Sequence, residues 1–240
     1  ERAVDKEHGK AFLDYTGGTK AMAVNVFRAW ERYGGVASRA FYVDSFRGLL
    51  RFNDGSAGPI QCELTLDCIV RLHGYYVGKK NDPPASQRRI AWLDEKLQRL
   101  IDAIISDQVE YDEGYWFEEW TASFLARTGL FFPDRVAWGV NMRSPNGSAM
   151  ELDVIGIRGH KVYVISCTIG TDYWLAKWKA FEVILRAQQM AGSQARPALL
   201  APVGFKWVKD GSLVNQRYLL EQSIKSHWNN PIQFKVFSLQ

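Results

Sequence analysis

The sequence predicts an α/β protein made of two units. Three observations carry this reading. Strand-like and helix-like apolar periods alternate along all 240 residues. A charged, Pro-Pro stretch, KKNDPPASQ (79–87), separates two halves. In the second half three β-branched segments, RVAWGVNMR, ELDVIGIR and KVYVISC, lead into a long helix and another strand. The expected division is 1–55, an α/β unit; 56–109, a helical or winged-helix-like linker; and 110–240, a second α/β unit. A chain of this length can bury one large core or two small ones.

KAFLDY (10–15) reads as a buried strand, Thr19 to Tyr33 as a helix, and AFYVD (40–44) and GLLRFN (48–53) as two more strands. DGSAG (54–58) is rich in turn residues and breaks the pattern. LTLDCIVRLHGY then predicts a short helix capped by Thr65, and Arg88 to Ile105 a strongly amphipathic one. GYWFEEWTASFLARTG reads as a helix stopped by Gly129, ahead of the three strands. A helix from Asp172 to Ala191, the strand PALLAP and a helix over 212–226 complete the chain. There is no internal repeat and no low-complexity tract.

A formal net charge of +4 permits a nucleic-acid partner but falls short of the basic density of a purely electrostatic DNA binder. The three cysteines, Cys62, Cys68 and Cys167, have no C-x-x-C spacing, which argues against a zinc cage or disulfide framework and fits a reducing cytoplasm. No apolar run reaches the roughly 18 residues of a membrane span, and the charged start ERAVDKEHGK has no signal-peptide core, so no membrane partner is expected. The chain starts at Glu1, without Met, and reaches a glycine-rich corner within twenty residues. The first unit therefore reads as the C-terminal part of a larger one, with more sequence upstream or a truncation.

That corner is TGGTKAMA, Thr16 to Ala23, at the end of a strand and the start of a helix. Helix-start N–H groups without intrahelical partners, the Gly17-Gly18 backbone, the Thr16 and Thr19 hydroxyls and the Lys20 charge suit phosphate oxygens. The order is not that of a P-loop, because the glycines are adjacent and Lys20 follows Thr19. The competing reading is a glycine-rich turn with no ligand.

A second constellation surrounds the Arg158-Gly159-His160 turn. Glu151 and Asp153 stand two apart on one strand, and Ser166 and Thr168 two apart on the next. An inward carboxylate among Val and Ile needs a cation, and a divalent metal is the usual one. Glu118 and Glu119 upstream and Lys177 and Lys179 downstream complete the parts of a Mg²⁺-dependent phosphodiesterase. The alternative is a solvated Glu118 and Glu151 and a salt-bridged Asp153.

The ordered segments G-Y-W-F-E (114–118), E-L-D-V (151–154), V-I-S-C-T (164–168) and R-A-Q-Q-M-A-G-S-Q-A-R (186–196) resemble the PD-(D/E)XK nuclease domain of CRISPR type III ancillary effectors. T-G-G-T-K-A-M resembles the ligand motif of the CRISPR-associated Rossmann fold (CARF) domain joined to it. The resemblance implies a partial Rossmann-like CARF unit, a helical linker and a restriction-endonuclease-like domain. It further implies a cytoplasmic homodimer that binds cyclic oligoadenylate, expected to be cyclic tetra-adenylate, at Thr16, Gly17, Gly18, Thr19 and Lys20. Cleavage of DNA or RNA then depends on Mg²⁺ or Mn²⁺. Glu118 corresponds to the helix glutamate and Asp153 to the metal-binding aspartate.

Ser166 and Thr168 stand where that pattern has its second acid and its lysine. Glu151 or Glu182 could replace the carboxylate, Lys177 or Lys179 the lysine, and the Cys167 backbone carbonyl could join Glu118 and Asp153 on the metal. The two lysines point about 200° apart around their helix, so at most one is expected to serve. A catalytically inactive sensor or a nucleic-acid-binding regulator is the rival reading. His73 and His160 lack a partner at metal spacing, and packing is expected for Trp116, Trp174 and Trp178 among the nine tryptophans.

Overall fold

The computed structural model describes residues 11–16, 19–44, 47–60, 64–106, 108, 114–147, 149–207, 212–227 and 234–239. The chain divides into two units, Glu1–Cys62 and Glu63–Gln240.

In the first unit β1 (Leu13–Asp14) pairs in parallel with β2 (Ala40–Asp44). The crossover is α1 (Lys20–Arg32), as a parallel pair requires. Thr19 caps α1 by accepting the Met22 N–H. β3 (Leu49–Phe52) returns antiparallel to β2, and β4 (Ala57–Pro59) adds to its far side, giving the order β1-β2-β3-β4. The expected break over 54–58 thus becomes a turn at Asp54-Gly55 followed by a short strand. Gly55 takes φ 88°, and the Asp54 carboxylate accepts the Ser56 N–H and O–H.

The second unit opens with α2 (Leu66–Leu72), β5 (Tyr76–Asn81), α3 (Gln87–Ile105) and α4 (Tyr115–Arg127). β6 (Val136–Arg143), β7 (Ala149–Arg158) and β8 (Lys161–Cys167) follow as an antiparallel meander that starts from β5. α5 (Tyr173–Ala191) crosses over to β9 (Ala195–Leu200), parallel to β8. A β10 (Phe205–Trp207) and β11 (Leu213–Asn215) hairpin, α6 (Gln216–His227) and β12 (Lys235–Phe237) end the chain. β12 pairs in parallel with β9, and the sheet order is β12-β9-β8-β7-β6-β5.

Each sheet face carries its own core. On one, Val70 of α2, Ile184 of α5 and Ile224 of α6 pack with Val140, Leu152 and Ile155. On the other, Leu93 and Leu100 of α3 and Phe117 and Trp120 of α4 pack with Val136, Val154 and Ile165. The segment 56–109 does not stand apart as a linker: its first residues belong to β4, Ile69 and Val70 are buried, and β5 is an edge strand of the six-stranded sheet. Lys79 and Asn81, expected as linker, are strand residues because this edge tolerates polar side chains and a bulged register.

Strict alternation fails in the middle of β6 and β7. Leu152 and Ile155, three apart, share one core, whereas Val154 joins the other. On β6, Ala137 and Val140 do the same. The register pairs Trp138 with Val154 and Val140 with Leu152, which leaves Gly139 opposite Asp153. Gly139 has φ 53°, a left-handed conformation suited to glycine, and a Cβ there would lie 2.9 Å from Asn81 Nδ2. Glycine thus lets the strand change phase opposite the aspartate.

Candidate functional site

α4 is fixed before it presents anything. Arg89 of α3 forks onto Glu119 at 2.9 and 2.5 Å, and Asp94 accepts from Trp120 Nε1 and from both Arg127 nitrogens, each at 2.9 Å. Of the adjacent carboxylates Glu118 and Glu119, the second therefore ties α4 to α3. Glu118 stands about 100° around the helix from it, and its buried Oε2 has no hydrogen-bond partner. Burial, then the charges of Asp153 and Glu151, push its carboxyl up to about 8, against the opposing pull of Lys179. The field that shifts Glu118 locates Asp153, Glu151 and Lys179 around it.

Asp153 sits where β7 and β8 part. Their ladder runs from Arg158–Lys161 to Val154–Ile165 and stops. Beyond it, Asp153 Oδ2 accepts the Ser166 hydroxyl and the Cys167 N–H, both at 2.8 Å. A residue's N–H and C=O leave a strand on the same side. The Cys167 N–H bond to Asp153 therefore directs the Cys167 carbonyl toward the same gap. The Cys167 thiol is no ligand in this state: it is buried 3.5 Å from Thr121 Oγ1, and burial followed by the Asp153 charge raises its pKa well above normal. Thr168 is turned to its own loop, where its hydroxyl accepts the Gly170 N–H.

The two lysines separate as helix geometry requires. Lys179 acts electrostatically on Glu118 and Cys167 and lies 3.9 Å from Glu182. Lys177 instead holds its ammonium 5.4 Å from the Trp174 ring centre. Glu182 accepts Arg186 Nη2 at 2.5 Å, and Arg186 Nη1 donates to the Glu151 carbonyl. Glu151, Asp153, Ser166, Glu182 and Arg186 line a recess with room for one water at most. Arg186 joins this cluster beyond the residues the sequence marks, and its four-residue spacing from Glu182 is that of a helix ion pair.

Among the described residues no group of three or more His, Cys, Asp or Glu side chains is arranged to hold a metal ion. Glu118 and Asp153, two carboxyls that act on each other electrostatically, match the one or two carboxylates that Mg²⁺ uses while keeping its waters. The unpartnered Glu118 Oε2, in the field of two further carboxylates, is the feature that fits a cation.

At the first corner, Gly17 and Gly18 lie outside the described residues. The Thr16 hydroxyl donates to Asp14 and accepts the Val43 N–H at 2.7 Å, tying β1 to β2, while the Thr19 side chain caps α1. Lys20 is exposed at the start of α1. A cavity of about 270 Å³ opens elsewhere in the second unit, between Leu64, Phe131, Phe132, Arg135 and the Arg158-Gly159 turn, and no carboxylate lines it. The packing expected for the tryptophans holds for Trp116, 8% exposed, but not for Trp174 and Trp178, 63% and 73% exposed. No helix among the described residues is long and apolar enough to cross a membrane.

The fold is that of an α/β protein in which a small sheet with one βαβ crossover precedes a larger mixed sheet with carboxylates at a strand divergence. Solved structures share it. Can2 from Sulfobacillus thermosulfidooxidans in complex with cyclic tetra-adenylate matches with TM-score 0.63 and 15% identity over 98% of this chain and 74% of that one. Protein VC1899 from Vibrio cholerae matches with TM-score 0.62 and 11% identity over 93% and 70%. A type III CRISPR defence DNA nuclease activated by cyclic oligoadenylate matches with TM-score 0.57 and 17% identity, over 79% of this chain and 31% of that chain. The sequence matches no protein-family profile and no curated protein.

Proposed function

We propose that this chain belongs to a cyclic-oligoadenylate-responsive, metal-dependent nuclease of type III CRISPR defence, with a CARF-like sensor unit and a PD-(D/E)XK-like nuclease unit. The observation that carries the reading is the convergence of Glu118, Asp153 and Lys179 where β7 and β8 part. The shared fold with Can2 and with the cyclic-oligoadenylate-activated nuclease supports the sensor and the phosphodiester chemistry.

Glu118, Asp153 and the Cys167 carbonyl would hold Mg²⁺ or Mn²⁺. When bound, such an ion supplies charge to a phosphate and lowers the pKa of a water. The chain's own groups do the rest. Ser166 and the Cys167 N–H fix the Asp153 carboxylate through Oδ2, and Oδ1 takes part in neither bond. Lys179 offers positive charge to phosphate oxygens, and Glu151 adds a carboxylate at the rim. Thr16 to Lys20 would bind the cyclic oligoadenylate, with Lys20 as the charged contact, in a two-fold homodimer.

An inactive sensor is the second reading, and one observation favours it: Ser166 donates to Asp153 where a second carboxylate would bind metal. Labelled DNA and RNA incubated with Mn²⁺ and cyclic tetra-adenylate decide between the two. Cleavage that needs both additions and disappears in Asp153→Asn supports the nuclease. Binding of the cyclic nucleotide without cleavage by any divalent ion supports the inactive sensor.

A further inference from the structure

We infer that Trp174 and Trp178 of α5 form a stacking platform that seats an unpaired base of the nucleic-acid strand beside the Asp153 site. The strand itself comes from the proposed nuclease reading. The platform, and the requirement for an unpaired base, come from α5.

The buried side of α5 is made of small and branched residues, Ala176, Ala180, Val183 and Ala187. Opposite it stand the two indoles, 63% and 73% exposed, whereas Trp116 and Trp120 of the same unit are almost fully buried. Four residues separate Trp174 from Trp178, which places them about 40° apart around the helix and about 6 Å apart along it. That separation is close to twice the roughly 3.4 Å rise of stacked bases, so one base can lie against both rings. Such stacking is open to any base because every base has a π-face.

The surroundings match a polynucleotide. Lys177 holds its ammonium over the Trp174 ring, where it can also meet a phosphate. Lys179 lies about 100° around the helix from Trp178 and acts on Glu118. The platform and Lys179 are therefore carried by one helix, with Lys179 turned to the Asp153 site. In duplex DNA the base faces are covered by their neighbours, so a platform of this kind selects unpaired strands. A second copy of this chain is the rival occupant. The Lys177 ammonium over Trp174 favours the phosphate-bearing strand instead.

The test measures binding without chemistry. The full chain, in EDTA, is titrated with labelled oligothymidylate, oligouridylate and a duplex of the same length, and both label anisotropy and intrinsic tryptophan fluorescence are read. Single strands should quench the tryptophans. Trp174→Ala and Trp178→Ala should each weaken single-strand binding by about fivefold or more while leaving duplex affinity unchanged, and Trp→Phe should recover most of the loss. Matching thermal melting temperatures exclude misfolding at these exposed positions. Equal affinity for single strand and duplex in the parent, or full single-strand affinity in both alanine variants, overturns the platform. A parent dimer that becomes monomeric in Trp178→Ala assigns the face to a second copy and also overturns it. If the parent cuts nothing but loses single-strand binding in the variants, the nuclease reading fails and the platform stands.

Discussion

Two regions singled out in the sequence as ligand sites differ in how their polar groups are satisfied. At the start of α1 the chain uses its own threonines: Thr16 ties β1 to β2 and Thr19 caps the helix. At the parting of β7 and β8, Glu118 Oε2 is buried without a partner and its carboxyl is pushed up to about 8. Among the described residues the threonines of the first corner are hydrogen-bonded, whereas Glu118 Oε2 at the second has no partner. The difference teaches that a hydroxyl-rich corner is weaker evidence of a ligand than an unpartnered buried carboxyl, because threonines readily serve as caps and strand ties.

The largest effect is expected at Asp153. Asp153→Asn should abolish divalent-dependent cleavage in an assay with Mn²⁺ and cyclic tetra-adenylate, while circular dichroism shows the fold retained. Parent-like cutting would place the chemistry elsewhere. Next in size, Lys179→Ala should slow cleavage by about 10²-fold or more, the scale of losing one preorganised electrostatic group. Lys177→Ala should have a smaller effect on the chemical step, since its ammonium lies over Trp174. Equal rates in the two variants would remove the geometric distinction between them.

At the first corner, Lys20→Ala should weaken cyclic tetra-adenylate binding by roughly 1.5 to 3 kcal/mol, the value of a charge-assisted contact, measured by calorimetry. Thr16→Val should act differently, lowering the melting temperature by removing the β1–β2 tie whether or not ligand is present. Gly139→Ala sharpens the second region, because alanine at φ 53° costs about 1–2 kcal/mol and its Cβ would press on Asn81. Urea unfolding should show that loss.

A pH slope tests the Glu118 carboxyl. Glu118 is protonated in the fold up to about 8 but has an ordinary pKa of 4.5 when unfolded. Its contribution to stability is therefore present below pH 4.5 and is lost as pH rises toward 8. Glu118→Gln should flatten that decline in unfolding experiments across this window, whereas an unchanged slope would contradict the shifted carboxyl.

Much of the fold was legible because its periods are long and its caps are plain. Thr19, Thr65 and Asp172 each accept a backbone N–H at the helix start that the sequence marks. β5 was hidden because YVGKKN carries the polar pattern of an edge strand and reads as linker, and β12 is too short to show a period. The pairing of Glu118 with Asp153 could be expected from their order along the chain. That Glu119 is committed to Arg89 could not, because its partner lies thirty residues away on another helix. The phase change at Gly139 was equally out of sight, since it shows only when the β6–β7 register places that glycine opposite Asp153. Helix spacing separated Lys177 from Lys179 in advance, but only the packing of α5 decides which one meets the carboxylates.

The claim that a divalent cation completes the site around Glu118 and Asp153 is tested most directly by calorimetric titration of the full chain with Mn²⁺ near neutral pH, in two buffers of different ionisation enthalpy. A carboxyl held up to about 8 must lose its proton to bind the ion. The account predicts saturable binding with release of about one proton per ion, tighter as pH rises toward 8, with the proton release lost in Glu118→Gln and binding abolished in Asp153→Asn. Absence of Mn²⁺ binding, or binding with the same proton count in the parent and both variants, would contradict it.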